Sequence, residues 1–149
     1  TNTFGPNDNY NALNSHFFPA LIKKVHDLKL NNKKELTLWG NGLAKREVIY
    51  VDDLADACIF FMKKRFSETV LNIGTGKDFS IKRYAKMIIN QVITKNKIKI
   101  KYDLSKPNGT PRKVLDIKLA NKYGWKPKTN LDAAITKTYK SFLEDSKIV

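Results

Sequence analysis

His16 is the side chain in this sequence best suited to moving a proton at neutral pH, because imidazole ordinarily titrates there. It follows Asn14 and Ser15 at the start of a helical pattern. A helix N-terminus disfavours imidazolium, which leaves a neutral ring able to exchange protons near pH 7. The free backbone N–H groups of that turn also suit a phosphate or a carbonyl oxygen. Position alone leaves open the alternative that His16 is an ordinary polar residue.

A nine-residue loop, residues 105–113, has the sequence Ser-Lys-Pro-Asn-Gly-Thr-Pro-Arg-Lys. Its prolines and glycine hold the backbone in turns, and the glycine allows a ligand to approach closely. Hydroxyls, an amide and three cations share this short stretch. A packed core requires none of these groups, so the loop favours binding of an anion that also carries hydroxyl groups.

Cations elsewhere in the chain fit the same type of ligand. Two adjacent lysines at 23–24 follow His16 by about two helical turns, roughly 12 Å along the axis. That span suits a ligand with a sugar at one end and phosphates further on. Arg46 is one of only four arginines among 28 cations, and a guanidinium can hold a phosphate through two parallel hydrogen bonds. An ion pair with Glu47 or Asp52 is the equally weighted alternative.

Other features that resemble functional motifs have simpler structural explanations. The Gly-Thr-Gly segment at 74–76 lacks the spacing and the third glycine of a dinucleotide-binding loop, so it favours a tight turn between strand and helix. Cys58 lies among apolar residues, which predicts a packed thiol rather than a nucleophile. His26 falls on a lysine-rich helix face and is expected to be exposed.

Helices and strands alternate in the elements that would position these groups. Apolar residues at 17, 21, 25 and 28 predict a helix over 14–30, capped by Asn14 or Ser15, with Pro19 in its first turn. The remaining pattern predicts strands over 36–39, 48–51, 70–73 and 97–102, and helices over 54–64, 80–94 and 131–143, with a short helix before 123–125. The strand at 70–73 is of the buried type. This α/β pattern has only two or three adjacent buried strands, and a doubly wound sheet needs more. The chain is therefore predicted to be the second lobe of a larger protein.

The composition favours one globular domain without a membrane span or a metal site. The chain has 149 residues, 42% of them hydrophobic, and a single cysteine, which excludes an internal disulfide and a Cys-based zinc site. No apolar run approaches the roughly 20 residues of a membrane span, and no secretory signal is visible, so we expect a cytoplasmic protein. The net charge of +14 suggests nucleic acid, but scattered lysines with abundant Asn and Ile favour compositional drift.

A series of motifs occurs in a fixed order along the chain: Thr1–Pro6, Asn14–His16, Leu38–Gly40, Arg46–Glu47 with Val51–Asp53, Asn72–Gly76, the 105–113 loop and Gly124–Trp125. Together they resemble the C-terminal half of the GDP-L-fucose synthases, a branch of the extended short-chain dehydrogenase/reductase family. The Asn-Ser-His triplet and the loop are the parts most specific to that branch. The resemblance implies an α/β fold in which residues 1–149 form the C-terminal substrate-binding region. It also implies that most of the Rossmann sheet is lacking and that the region packs on an absent N-terminal NADP-binding half.

The resemblance also implies a reaction and its site residues. This family epimerises and reduces GDP-4-keto-6-deoxy-mannose with NADPH. Epimerisation beside a ketone needs a base on one face and an acid on the other, and His16 matches the acid partner for C3 and C5. The implied contacts with NADP(H) are Thr1, Asn2, Thr3, Phe4 and His16. The implied contacts with the GDP-sugar are Asn14, Ser15, Phe17, Lys24, Leu38, Trp39, Arg46, Asn108 and Lys113, with Lys113 facing phosphate.

Other parts of the family's pattern are not in this sequence. The chain has no G-x-x-G-x-x-G loop, Tyr84 and Tyr139 lack the spacing of the family's Tyr-x-x-x-Lys pair, and nothing in the chain matches the family's catalytic serine or cysteine. Hydride transfer requires a cofactor held against the substrate. We therefore expect this chain alone to be inactive and the full-length parent, as a homodimer, to be the enzyme.

Three other functions remain open. Another nucleotide-sugar epimerase or dehydratase of the same family would share most motifs, although His16 and the 105–113 loop argue against it. A basic nucleic-acid-binding module would account for the charge, but aromatic residues and cations do not interleave along one face and no recognised motif is present. We therefore expect no nucleic-acid partner. A non-catalytic GDP-binding scaffold would differ from the enzyme half only in lacking an N-terminal partner.

Overall fold

The computed structural model describes residues 1–11, 14–65, 67–93 and 97–145. Strands and helices are interspersed along this part of the chain, as expected for the predicted α/β fold. The strands are β1 (Asn2–Phe4), β2 (Glu35–Trp39), β3 (Lys45–Tyr50), β4 (Asp78–Ser80), β5 (Lys99–Asp103) and β6 (Arg112–Lys113). The helices are α1 (Phe17–Leu30), α2 (Val51–Met62), α3 (Ile81–Val92), α4 (Lys118–Lys122) and α5 (Leu131–Asp145).

Strand β3 is the centre of the larger sheet. The first residues of β3 pair with antiparallel β4 on one edge and with parallel β6 on the other. Further along, β1 pairs in parallel on the edge opposite β4. In this register Lys113 lies beside Arg46, and Asn2 lies beside Val48. The start of β1 and the end of β6 therefore meet along one edge of β3.

The second sheet consists of β2 and β5, which pair in parallel over their full lengths. Burial alternates along β2, with Leu36 and Leu38 in the core and Glu35 and Trp39 outside. This is the period-two pattern of a strand with one buried face. It leaves the Trp39 ring on the surface, 64% exposed.

Helices α1, α3 and α5 pack around the larger of two hydrophobic clusters in the described residues. The buried side chains of α3 recur at helical spacing: Tyr84, Ala85, Ile88, Ile89 and Val92. Full burial of one large apolar side chain contributes about 1.5–3 kcal/mol, so this face fixes α3 between its neighbours. Among the described residues, no helix is both long and apolar enough to cross a bilayer.

A smaller cluster forms beneath α2. Two carboxylates of α2 attach the segment that follows α4: Asp53 accepts the backbone N–H groups of Lys128 and Thr129, and Asp56 accepts the indole N–H of Trp125 at 3.0 Å. The buried members of the cluster are Ile49, Ala57, Phe61, Ala120 and Trp125.

The ends of the predicted helices show where local signals were sufficient. Ser80 caps α3 as predicted, because its Oγ accepts the N–H of Arg83 at 3.2 Å. The predicted cap of α1 by Asn14 or Ser15 is wrong: α1 begins at Phe17, and His16 is the N-cap without a side-chain capping bond. The predicted end of α3 at residue 94 lies outside the described residues.

Two predicted stretches of extended or loop structure differ from the structure. Residues 70–73 form no strand, and Val70 is 74% exposed. A strand needs a neighbour to hydrogen-bond with, and neither described sheet reaches this segment. Conversely, Arg112 and Lys113 of the predicted loop form β6, because Lys45 and Arg46 of β3 lie alongside them.

His26 is half-buried rather than exposed, because α5 covers its face of α1. Its Nδ1 lies 3.0 Å from the hydroxyl of Tyr139, and its ring centroid lies 4.9 Å from that of Phe142. Burial lowers the pKa of His26. The helix pattern of α1 alone does not indicate which later helix packs on it.

Candidate functional site

Trp39 presents an exposed ring flanked by two lysines from different parts of the chain. The Nζ atom of Lys24, on α1, lies 5.4 Å from the ring centroid, and that of Lys106, in the 105–113 loop, lies 5.8 Å from it. Burial lowers the pKa of Lys24. A flat ring offers a face for stacking, and the ammonium groups beside it can bind phosphate. The three side chains together suit a planar aromatic group that carries phosphates.

Asn108 attaches the 105–113 loop to the turn after β2. Its Oδ1 accepts the N–H of Asn41 at 2.7 Å. The turn can approach so closely because Gly40 adopts φ +63°, and a Cβ there would lie 2.4 Å from the same oxygen. The predicted substrate contact of Asn108 stays a prediction, but its described contact is with the protein itself.

Arg46 directs its guanidinium to the backbone of the loop. Its Nη1 donates to the carbonyl oxygen of Thr110 at 2.6 Å and to that of Lys45 at 2.7 Å. No ion pair within the described ranges joins Arg46 to Glu47 or Asp52, so the ion-pair alternative is wrong there. Arg46 therefore fixes the loop beside β3, with its side chain partly exposed.

A cavity of about 440 Å³ lies where β1 and β6 meet along β3. It brings predicted cofactor contacts, Thr1 and Asn2, together with the predicted phosphate contact Lys113. The side-chain amide of Asn2 donates to the backbone oxygen of Glu47 at 2.9 Å, which fixes its orientation. The residues that line the cavity are Thr1, Asn2, Glu47, Lys113, Val114 and Leu115.

Glu47 is a buried carboxylate, 1% exposed, for which the sequence suggested only an ion pair with Arg46. Its Oε1 accepts the N–H groups of Thr75 at 2.5 Å and Gly76 at 2.7 Å, and its Oε2 accepts the N–H of Leu115 at 2.7 Å. The 74–76 segment thus binds a carboxylate of the protein. It is not the predicted turn between strand and helix, because residues 70–73 form no strand and β4 follows it. Glu47 directly precedes the apolar residues of β3, and an acid at that place is the sequence signal that could have predicted a buried carboxylate.

The start of α1 holds the predicted residues His16, Asn14, Ser15 and Phe17. His16 and Asn14 are exposed, whereas Ser15 is half-buried. The Ser15 Oγ is buried and has no hydrogen-bond partner in the part of the chain that the structure describes. An exposed imidazole beside such a hydroxyl is accessible to a ligand, and the predicted roles of these residues stay predictions.

Two aromatic rings connect the start of α1 to β3. The ring centroid of Phe17 lies 5.9 Å from that of Tyr84, and the Tyr84 hydroxyl donates to the backbone oxygen of Arg46 at 2.8 Å. Burial raises the pKa of Tyr84, which keeps this hydroxyl protonated as a donor. The half-buried Phe17 is therefore part of the support beneath the site.

Two predicted ligand contacts have side chains in the core. Leu38 and Phe4 are each 2% exposed, and the Phe4 ring packs against Phe18 with centroids 4.2 Å apart. The alternation of β2 turns Leu38 inward, and the register of β1 does the same for Phe4. A ligand contact of Leu38 or Phe4 is therefore limited to the backbone or to the edge of the side chain, and both predicted contacts stay predictions. Thr3, beside Phe4, is half-buried.

Cys58 is exposed rather than packed. It lies on α2 next to Ala57, whose side chain is fully buried in the smaller cluster, and one residue along a helix is enough to turn a side chain away from the core. In the described ranges, no three His, Cys, Asp or Glu residues are grouped so that they could hold a metal ion.

Comparison with known proteins supports the assignment that the motifs suggested. Residues 1–74 match the NAD dependent epimerase/dehydratase family. A protein of Arabidopsis thaliana named putative GDP-L-fucose synthase 2 is 41% identical over 145 residues, which are 97% of this chain and 44% of that protein. The GDP-L-fucose synthase of Escherichia coli K12 is 36% identical over 154 residues, which cover 97% of this chain and 47% of the relative. The chain thus spans somewhat less than half the length of these relatives.

A solved structure gives the same result for the fold. The GDP-L-fucose synthetase of Naegleria fowleri bound to NADP superposes with a TM-score of 0.86 at 26% identity, covering 99% of this chain and 46% of that protein. The α/β class is confirmed, and so is the likeness to part of an extended short-chain dehydrogenase/reductase. The match along nearly the whole chain includes every group of predicted site residues.

Proposed function

Because the chain belongs to the NAD dependent epimerase/dehydratase family, we propose that it is the GDP-sugar-binding part of an NADPH-dependent enzyme. The proposed reaction converts GDP-4-keto-6-deoxy-mannose to GDP-L-fucose by epimerisation at C3 and C5 and reduction at C4. The observation that carries this proposal is the convergence of Lys24 and Lys106 on the exposed ring of Trp39. Elements from three parts of the sequence meet there without forming a core.

The Trp39 ring is the proposed stacking surface for guanine, and the lysines beside it hold the diphosphate. The 105–113 loop encloses the nucleotide from one side, because Arg46 and Asn108 fix its backbone. Lys113 then faces phosphate or sugar oxygens from the cavity where β1 and β6 meet. Stacking by the ring and charge neutralisation by the lysines act on different parts of the same ligand.

His16 is the proposed acid partner in epimerisation. Removal of a proton from the carbon beside a ketone requires delivery of a proton to the opposite face if the configuration is to invert. An exposed imidazole at the start of α1 can hold that proton at either ring nitrogen. The base and the residues that aid hydride transfer to C4 belong to the proposed N-terminal half.

The residues present fit one end of NADP(H). Thr1 and Asn2 line an open cavity with polar side chains, and Asn2 is held in place by the backbone of Glu47. The sequence has no glycine-rich loop for the pyrophosphate. We therefore assign the nicotinamide end to residues 1–4 with His16, where the bound cofactor supplies the hydride. The rest of the cofactor binds the N-terminal half, and the full-length protein is a cytoplasmic homodimer.

Nucleotide selectivity tests the proposal. The chain is titrated with GDP, UDP and dTDP by isothermal calorimetry at two salt concentrations. We expect binding of GDP in clear preference to UDP and dTDP. Preference for UDP or dTDP would move the protein to another nucleotide-sugar branch of the family. Binding of RNA that weakens steeply with salt, together with no binding of GDP, would instead favour the nucleic-acid module.

A further inference from the structure

Glu47 is the one buried charged residue that reaches both walls of the 440 Å³ cavity in the described structure. It lies on β3, between the residues that pair with β6 and those that pair with β1. Its backbone oxygen accepts the side-chain amide of Asn2 at 2.9 Å. Its carboxylate accepts the N–H of Leu115, two residues beyond Lys113, at 2.7 Å.

The carboxylate is held by hydrogen-bond donors rather than by cations. Besides Leu115, its donors are the N–H groups of Thr75 and Gly76 and the hydroxyl of Thr75. None of the ion pairs between described residues includes Glu47. A buried carboxylate needs such donors, because removal of one leaves an unsatisfied charge and lowers the free energy of unfolding of the protein. These contacts therefore define the position of each segment that supplies a donor.

Lys113 itself is held on its N-terminal side, because β6 pairs with β3 and the Arg112 guanidinium forms an ion pair with Asp78. Beyond Lys113 the chain forms no strand or helix until α4. The Leu115 contact is what fixes the chain beyond β6 against β3. The 74–76 turn approaches from the other side, where a Cβ at Gly74 would lie 2.4 Å from Oε1. The carboxylate is thus enclosed between two segments that are far apart in sequence.

We propose that Glu47 is a positioning residue that holds Lys113 opposite Thr1 and Asn2 across the cavity. The proposed phosphate contact and the proposed cofactor contacts then keep a fixed separation. This inference rests on the proposed function for the identity of the ligand. The geometric part, that Glu47 fixes the segment 113–115, does not depend on the ligand.

Glu47→Gln tests the geometric part. It preserves shape but replaces one acceptor oxygen with an NH₂ group that cannot accept an N–H. We expect amide hydrogen exchange at Lys113, Val114 and Leu115 to become at least tenfold faster relative to the wild-type chain. Asp53→Asn is the matched control, since Asp53 is also buried and accepts two backbone N–H groups, but from Lys128 and Thr129. It should speed exchange at 128–129 and leave 113–115 unchanged.

A double-mutant cycle tests whether Glu47 affects GDP binding through Lys113. We expect Glu47→Gln to weaken GDP binding about tenfold in the wild-type background and less than twofold in the Lys113→Ala background. Equal losses in both backgrounds would show that Glu47 acts by another route and would overturn the proposal. Unchanged exchange at 113–115 would overturn it as well.

The proposal can still be tested if the chain does not bind GDP or if Glu47→Gln does not fold. If the wild-type chain does not bind GDP, the proposed function fails, and the exchange measurement alone decides whether Glu47 positions the segment. If Glu47→Gln does not fold, Leu115→Pro removes the N–H donor from the other side and leaves Glu47 with the 74–76 turn. The same faster exchange at 113–114 is then expected, and its absence would overturn the proposal.

Discussion

At the scale of single residues, the site is formed by side chains whose neighbours in space are distant in sequence. Trp39 is exposed because β2 alternates, and it becomes a candidate binding surface because Lys24 and Lys106 reach it. Asn108 was expected to contact substrate, yet its described bond is to Asn41. A residue proposed to contact the ligand is thus also one that holds the 105–113 loop in place.

Replacing Trp39 separates stacking from charge. Base stacking on an aromatic side chain contributes about 1–3 kcal/mol, so Trp39→Ala is expected to weaken GDP binding about tenfold in calorimetry. Tyr102→Ala is the matched control, because Tyr102 is also partly exposed and has the Lys82 Nζ 5.7 Å from its ring centroid. Equal weakening by both variants would contradict a specific role for Trp39.

Replacing Asn108 tests its structural contact. Asn108→Ala removes the acceptor for the Asn41 N–H and is expected to lower the free energy of unfolding by about 1 kcal/mol in urea titration. Asn108→Asp keeps an acceptor oxygen and should retain most of the stability. Asn9→Ala, which removes an acceptor for the nearby N–H of Asn11, is the control for a short-range bond. A loss from Asn108→Asp as large as that from Asn108→Ala would rule out this explanation.

At the scale of elements, the helices that pack on one another decide the environment of the histidines. His16 is at the exposed start of α1, whereas His26 lies about three turns further on, against α5. Burial lowers the pKa of His26 relative to its ordinary value of 6.5. The folded chain therefore binds this proton less readily than the unfolded chain does.

The junction of α1 and α5 should consequently be sensitive to acid. A depressed pKa in the folded state contributes stability that is present above pH 6.5 and lost as the pH falls through the folded pKa. We expect the melting temperature, followed by circular dichroism, to fall between pH 7 and pH 5, and His26→Gln to reduce that fall. His16→Gln, which removes the chain's other histidine, should leave the pH dependence in place. An unchanged pH dependence in His26→Gln would contradict the assignment.

At the scale of the whole molecule, β3 connects the walls of the cavity with the 105–113 loop. It carries Arg46 and Glu47, pairs with β1, β4 and β6, and continues directly into α2. The chain aligns with somewhat less than half of each relative, and the glycine-rich motif for the cofactor pyrophosphate is not in its sequence. Binding and catalysis are therefore expected to separate in experiments on this chain.

That separation can be measured directly. With NADPH and GDP-4-keto-6-deoxy-mannose, the chain alone should give no turnover, because no described element holds the whole cofactor against the sugar. Addition of the separately produced N-terminal half of the Escherichia coli relative should restore NADPH oxidation, followed by absorbance. His16→Gln in the same mixture should lower formation of GDP-L-fucose at least about a hundredfold. Turnover by the chain alone would refute the division of labour.

The sequence by itself was sufficient where the physical cause is local. The Ser80 cap, helix α3 and strand β2 depend on residues a few positions apart, and the structure has them close to where they were predicted. The ordered motifs were likewise enough to identify the family, since each is a short stretch with its own spacing.

Only the tertiary structure decided what each of these elements contacts. It paired Glu47 with Leu115 and Thr75, turned Leu38 into the core, covered His26 with α5, and left residues 70–73 outside both sheets. Each of these contacts and burials depends on residues tens of positions away in the sequence. The packing of whole helices and sheets determines where those residues lie. Burial and hydrogen bonding are properties of that packing, so no local pattern along the chain contains them.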